Sequence, residues 1–491
     1  MTGSDGSGGS AAAGATEFDV IVIGAGPVGE NMADYAVRGG LSAALVENEL
    51  VGGECSYWAC MPSKALLRTP HAVAAARRLP GVRVEFDPAA VLARRDEFSS
   101  HWSDDGQVTW AEGAGITVVR GRARLAGVRR VLVTDGDGHE RELRARHAVA
   151  VCTGSVPTTP PIPGLDGVRV WHSREATSAQ RVPGRLGVLG GGVVGVEMAQ
   201  AWSALGAEVT LLARDDRLLP STEPIAGELV ADGLRAAGVD VRLNTGLDEV
   251  KSAGDGQGIE LRYSSTENGT GSRQVDELLV ATGRRPNTAD IGLAELGLDE
   301  KQPLRVDDSG MVLGLDGGWL YAAGDVTGRA PLTHQGKYGA RIAAAAIVAR
   351  ANGEPARPER WSEYAATADH VAVPQVVFTD PEVAAVGLTA EKATEAGHHI
   401  RTVDLDIAVA GSYLHADGYT GKARAVIDTD RDVLLGVTFV GPDVAELLHA
   451  ATIAVAGEVP LGRLWHAVPA FPTVSEVWLR LLEACRSGSG S

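Results

Sequence analysis

Cysteine is scarce. Only Cys55, Cys60, Cys152 and Cys485 occur in 491 residues. That is too few for a disulfide-built scaffold, and it fits a reducing, cytoplasmic setting. Basic runs are missing as well. The formal charge is −18, which would repel phosphates, so neither nucleic acid nor an anionic membrane is an expected partner. No apolar stretch is long and clean enough to span a bilayer. Residues 1–17 are mostly Gly, Ser and Ala, with no basic start and no apolar core, so they do not read as a signal peptide. They and residues 486–491 read as disordered tails. No Cys or His cluster with ligand spacing is present near the close cysteine pair, and no metal is expected there.

Glycine is abundant, at 62 residues. Together with the length, it points to two to four α/β domains with many tight strand-to-helix turns. A β-branched strand at 19–23 leads into Gly24-Ala25-Gly26-Pro27-Val28-Gly29, a helix to about Gly39 and a strand at 43–47. The pattern recurs. A strand at 186–189 leads into Gly190-Gly191-Gly192-Val193-Val194-Gly195, a helix through Met198 and Trp202 to about Leu205, and a strand at 208–212. The expected fold class is therefore α/β with two Rossmann-like dinucleotide-binding domains. Segments 148–154 and 278–283 are both apolar strands ending in Thr-Gly, suited to carrying the chain out of one nucleotide domain and back. Segment 319–325 is another, ending in Gly-Asp. Past about residue 365, alternating strands at 423–428 and 435–440 and a helix at 444–456 suggest a separate α+β domain.

Each glycine loop follows a strand and opens a helix, the context a dinucleotide fingerprint requires. Gly26 would let the backbone approach a pyrophosphate at a helix N-terminus. Glu47, 23 positions after Gly24, would accept hydrogen bonds from both ribose hydroxyls. The equivalent position after Gly190 is Ala213, followed by Arg214 and Arg217. Arginine there pairs with a 2′-phosphate that a carboxylate would repel, so the second domain is expected to prefer NADPH over NADH. The bland alternative is that both arginines are solvated surface charges.

The sharpest motif is Gly52-Gly53-Glu54-Cys55-Ser56-Tyr57-Trp58-Ala59-Cys60-Met61-Pro62-Ser63-Lys64. The pair is either a chance spacing or a redox disulfide. Residues five apart in an ideal helix have Cα atoms about 8–9 Å apart, and a disulfide wants roughly 4.4–6.8 Å. Closing it would require a distorted turn, which makes the bond easier to reduce. A helix dipole and Lys64 would favour a thiolate.

On this C-x4-C-x-P-S-K motif and the two fingerprints, the chain resembles the class I pyridine nucleotide-disulfide oxidoreductases over nearly all of 19–483. That family includes dihydrolipoamide dehydrogenase, glutathione reductase, mycothione reductase and mercuric reductase. The resemblance implies an FAD domain (18–160 and 288–365), an NAD(P) domain (161–287) and a C-terminal dimerisation domain (366–485), hence a homodimer. It implies that Cys60 is the charge-transfer thiol and Cys55 the interchange thiol. It sets Lys64, paired with Glu197, near flavin N5 and gives Asp325 the ribitol chain. Gly24, Gly26, Gly29, Glu47, Gly53, Ala123 and Thr153 would line the FAD, and Leu332-Thr333-His334 would run past its pyrimidine end. Gly283 would join Gly190, Gly192, Gly195, Arg214 and Arg217 around NADP(H).

The chain departs from the family in one catalytic position. The usual His-Pro-Thr-x-x-Glu reads Phe471-Pro-Thr-Val-Ser-Glu476. Glu476 remains, but phenylalanine cannot protonate a leaving thiolate, a service worth about 10² to 10⁴-fold. His466 is the nearest substitute base, or else a structural residue. Tyr57 and Trp58 stand where the family has small or polar residues; they either form a platform for a flat acceptor or pack on neighbouring loops. Mercuric reductases carry an aromatic residue at the His position too, with a vicinal cysteine pair near the C-terminus; here only Cys485 is found. Cys152 reads as an inert core residue on a strand. The expected activity is NAD(P)H-dependent reduction of the cysteine pair through FAD and then of a disulfide-type acceptor. A quinone or metal-ion reductase is the alternative, and a non-catalytic flavin-binding partner protein is a third reading.

Overall fold

The computed structural model of the chain describes residues 15–253, 258–266 and 269–487. The first sheet is ordered Thr117–Arg120, Ala43–Glu47, Thr16–Ile23, Glu140–Val151, Arg130–Thr134, Arg122–Leu125, with Leu320–Ala322 also on Glu140–Val151. Val20 to Ile23 are buried on both faces, as a central parallel strand is: Val20 and Val22 pack with helix residues such as Met32 and Ala340, and Ile21 and Ile23 with strand residues such as Val131 and Val133. Helices Pro27–Arg38 and Thr333–Ala351 pack against each other on one of those faces.

The second nucleotide-binding unit repeats the plan in a four-stranded parallel sheet: Asp240–Arg242, Glu208–Leu212, Arg185–Leu189 and Glu277–Val280. Two short antiparallel segments, Ser155–Pro157 and Arg284–Pro286, carry the chain between the two units. The third sheet is antiparallel and five-stranded, ordered Pro374–Val377, Glu382–Gly387, Val433–Gly441, Lys422–Asp428, Ile400–Asp406. Its core includes an edge-to-face pair, Phe439 and Trp478, 5.6 Å apart.

Some sequence expectations shift. The first strand begins at Thr16 because Thr16 and Glu17 pair with Leu143 and Arg144. The last helix runs to Ser487, with Arg486 stacked on Trp465 at 4.5 Å. Both expected tails are therefore shorter, and residues 1–14 and 488–491 lie outside the described residues. Cys152 sits one residue beyond its strand, which ends at Val151. It is buried there, and desolvation pushes its thiol up to about 12.

Candidate active site

The two glycine loops are built by the same contacts. Gly24 and Gly190 take positive φ, +97° and +120°, and a Cβ would strike the carbonyls of Cys152 at 2.5 Å and Ala281 at 2.4 Å. Gly29 and Gly195 each let their helix pass so close that a Cβ would lie 1.9 Å from the carbonyl of Gly24 or Gly190. Gly26 and Gly192 differ: a Cβ there meets no protein atom within 4 Å. Neither helix start carries a side-chain cap. Two uncapped helix N-termini with open space before them suit a pyrophosphate each.

At the end of the second strand, buried Glu47 accepts from Ala25 N and Glu49 N, both at 2.8 Å. Burial pushes its carboxyl up, against those amides. Such a carboxylate wants further donors, which a ribose diol offers. Gly53 packs its Cα side on Gly26, where a Cβ would sit 2.8 Å from Gly26 Cα. Asp325 accepts from Ser155 Oγ at 2.6 Å. Thr153 Oγ1 donates to Asn287 O at 2.7 Å, tying the outgoing chain to the returning one. Ala123 is a core residue, paired with Val133.

In the second unit, Ala213 is buried and Arg214 is exposed at the loop. Arg217 turns back on its own loop, with Nη2 donating to Pro220 O at 3.3 Å. Gly283 is exposed at the crossover with φ +142°, and its carbonyl accepts from Thr158 N.

The cysteine segment is broken, as closing it requires. Helix Gly53–Tyr57 stops at Trp58, Ala59 has φ −128° and ψ −96°, and a new helix, Cys60–Arg77, starts at Cys60. Cys60 thus sits at the positive end of an 18-residue helix. Thr333 Oγ1 stands 3.3 Å from both sulfurs. A hydrogen bond from Cys55, then Thr333 and the charge of Lys64, hold the Cys60 thiol down to about 6 despite burial. The same sulfur–sulfur hydrogen bond, with burial, pushes Cys55 up. One thiolate and one thiol share the site.

Leu66 and Leu67 of this helix pack in one core with Val196, Met198 and Trp202 of helix Val193–Ala204. That packing brings Lys64 Nζ to 2.7 Å from Glu197 Oε2. Glu197 Oε1 accepts from Phe378 N at 3.0 Å, so segments from all three units meet at one buried carboxylate. Lys64 Nζ also lies 5.0 Å from the Phe378 ring.

Several expected roles look different in place. Thr333 turns to the sulfurs, while His334 turns away and its Nε2 meets Pro374 O at 2.7 Å. The helix opens at Thr333, so successive side chains diverge by about 100°. Tyr57 is only 2% exposed and donates to Val51 O, and the face of Trp58 is covered by Arg174 at 4.1 Å. Tyr57 packs inside, and Trp58 is half-buried with Arg174 over its ring. Phe471 is 74% exposed. Glu476 is buried and accepts from Arg480 Nη2 at 2.9 Å, one helical turn on. His466 is exposed. Thr333, Arg174 and Phe378 are contributors that sequence reading missed or misplaced, because their partners lie far away in the chain.

The sequence profile of the pyridine nucleotide-disulphide oxidoreductases matches residues 18–351, and that of their dimerisation domain matches 373–481. The chain belongs to this family. A dihydrolipoyl dehydrogenase of Chlorobaculum tepidum is 34% identical over 94% of this chain and 96% of its own length. A mercuric reductase of Acidithiobacillus ferrooxidans is 33% identical over 91% and 79%. Among solved structures, the HOCl-induced flavoprotein disulfide reductase RclA from Escherichia coli superposes with TM-score 0.79 at 25% identity, covering 95% of this chain and 99% of its own. LpdA from Mycobacterium tuberculosis gives TM-score 0.80 at 25% identity, covering 96% and 99%.

The pyridine nucleotide-disulphide oxidoreductases use FAD and NAD(P)H, and the dimerisation domain at 373–481 supports a homodimer. The open loop at Gly26 and the buried acceptor Glu47 fit FAD. When bound, FAD supplies two-electron transfer between a nicotinamide and a disulfide. No helix among the described residues is long and apolar enough to cross a membrane.

Proposed function

We propose that this oxidoreductase uses NADPH to reduce the Cys55–Cys60 pair and that the reduced pair then reduces a small disulfide. FAD would be held by 18–160 and 288–365, and NADPH by 161–287. The observation that carries this reading is Cys60. It opens a helix, takes a hydrogen bond from Cys55, touches Thr333 and feels the charge of Lys64.

Two electrons and one proton convert the Cys55–Cys60 bond into a Cys60 thiolate and a Cys55 thiol. Cys55, once deprotonated, attacks one acceptor sulfur and releases the first thiol. Cys60 then attacks Cys55, releases the second thiol and restores the bond. Two protons reach the leaving thiolates, and Phe471 supplies none.

That gap supports a second reading, in which a metal ion or quinone takes the electrons and no thiolate leaves. Glu476, paired with Arg480, holds no histidine. The relatives include a mercuric reductase, and solved structures of RclA include a Cu(II) complex.

Anaerobic assays with NADPH and NADH against disulfides, quinones, Cu(II) and Hg(II) separate the two. The dithiol reading expects disulfide reduction to vanish in Cys55→Ser and to rise at least about 10-fold in Phe471→His. Disulfide turnover that survives Cys55→Ser would sink it. Arg214→Ala should raise KM for NADPH by about 10- to 100-fold and leave NADH unchanged; equal effects on both nucleotides would remove the phosphate-pairing role.

A further inference from the structure

The break between the cysteines is held from outside the segment. Trp58 N and Ala59 N both return to Glu54 O, at 2.8 and 2.7 Å, so the first short helix closes on itself. A second element, helix Ser173–Ser178, lies against the break. That helix belongs to the second nucleotide-binding unit, because Trp171, just before it, bridges to Leu279 of the second sheet.

Arg174 on this helix lays its guanidinium 4.1 Å over the Trp58 ring. It also bonds the Glu54 carboxylate and grips both oxygens of Glu49, at 2.9 and 3.0 Å. Thr177, nearly fully buried, has its shortest hydroxyl contact, 2.9 Å, with the carbonyl of Trp58. The helix is itself anchored: fully buried Arg95 donates to the carbonyls of Thr177 and Ala179. Arg284, on the crossover, stands 3.7 Å from the other Glu54 oxygen and donates to Ser155 Oγ at 2.8 Å.

We propose that Arg174 and Thr177 are positioning residues that clamp the Trp58–Ala59 break and thereby set how readily Cys55 and Cys60 close into a disulfide. The inference rests on the proposed use of that pair. An uninterrupted helix would hold the two Cα atoms about 8–9 Å apart. The observed break keeps both sulfurs beside one threonine hydroxyl. An irregular backbone persists only where its surroundings over-determine it. Arg174 and Thr177 supply that constraint, so the reduced sulfurs face each other at high effective concentration. With the clamp loosened, closure pays more ordering entropy and the disulfide becomes less favoured.

The test is the closure equilibrium, in which oxidised glutathione and the two thiols give the Cys55–Cys60 bond and two reduced glutathiones. Purified holoprotein is equilibrated at a series of glutathione ratios, acid-quenched, alkylated and read by mass spectrometry. Arg174→Ala and Thr177→Val should each lower the closure constant about 10-fold. Arg174→Lys, which keeps the charge but neither the flat stack nor the two-pronged grip, should recover only part of it. Thr177→Val removes one hydroxyl at nearly constant size, and it carries the test if Arg174→Ala does not fold. Closure constants within about twofold of wild type in both variants overturn the clamp. A wild-type pair that stays open at every ratio overturns the proposed function itself, whereas a wild type that closes beside unshifted variants overturns the clamp alone.

Discussion

Cys60 owes its low proton affinity first to its neighbour. The hydrogen bond from Cys55 outweighs the contributions of Thr333 and Lys64. The folded-state value, about 6, lies below the ordinary thiol range, so the thiolate is present above pH 6 and lost as pH falls through it. Removing the donor should therefore move the titration upward. In Cys55→Ala the pH at which Cys60 alkylation is half-maximal should rise toward about 8.5, and in Cys55→Ser the remaining hydroxyl should keep it near wild type. Iodoacetamide rates against pH measure this; an unmoved midpoint in Cys55→Ala would transfer the effect to Lys64 and the helix end. The two cysteines and Lys64 were legible because their motif is short and dense, whereas Glu197, 133 positions from Lys64, was expected only through the family resemblance. The contact of Thr333 with both sulfurs was not. Its partners lie 278 and 273 positions away, and no periodic signal spans that distance.

At the scale of elements, the two fingerprint loops separate structural glycines from ligand-facing ones. Gly29 exists for packing: a Cβ would meet the Gly24 carbonyl at 1.9 Å. Gly26 exists for space, with no protein atom near its missing Cβ and an ordinary φ of −69°. Gly29→Ala should therefore lower the melting temperature sharply, by an overpacking cost of about 1–3 kcal/mol or more. Gly26→Ala should fold normally yet purify with little flavin colour. Melting curves and visible spectra of the two variants check the contrast, and a yellow, fully loaded Gly26→Ala would remove that loop from the FAD site. These loops were readable because strand, turn and helix are set by neighbours a few residues apart. The cysteine segment was readable only in part. Its spacing demanded a distortion, but the place of the break at Trp58–Ala59 depends on a helix more than a hundred residues away.

At the scale of the molecule, the C-terminal unit exposes Tyr413, Leu414, Ile453, Val468 and Phe471, and Val468 is 85% open to solvent. On a dimerisation domain, large apolar side chains left exposed in one copy are the ones a second copy is expected to cover. Val468→Asp and Ile453→Asp should each weaken association at least about 10-fold, since an unpaired carboxylate would be buried on pairing. Sedimentation at decreasing concentration measures it; unchanged dimers in both variants would place the interface elsewhere.

The amino-acid sequence alone determined the duplicated Rossmann-like units, the separate C-terminal domain and the close spacing of Cys55, Cys60 and Lys64, because each is written in residues close together in the chain. Tertiary structure decided which distant groups meet: Lys64 with Glu197, Thr333 with two sulfurs, Arg174 with Trp58. Those meetings follow from how the helices and sheets pack, which depends on the summed burial of many side chains, and no local pattern records the result.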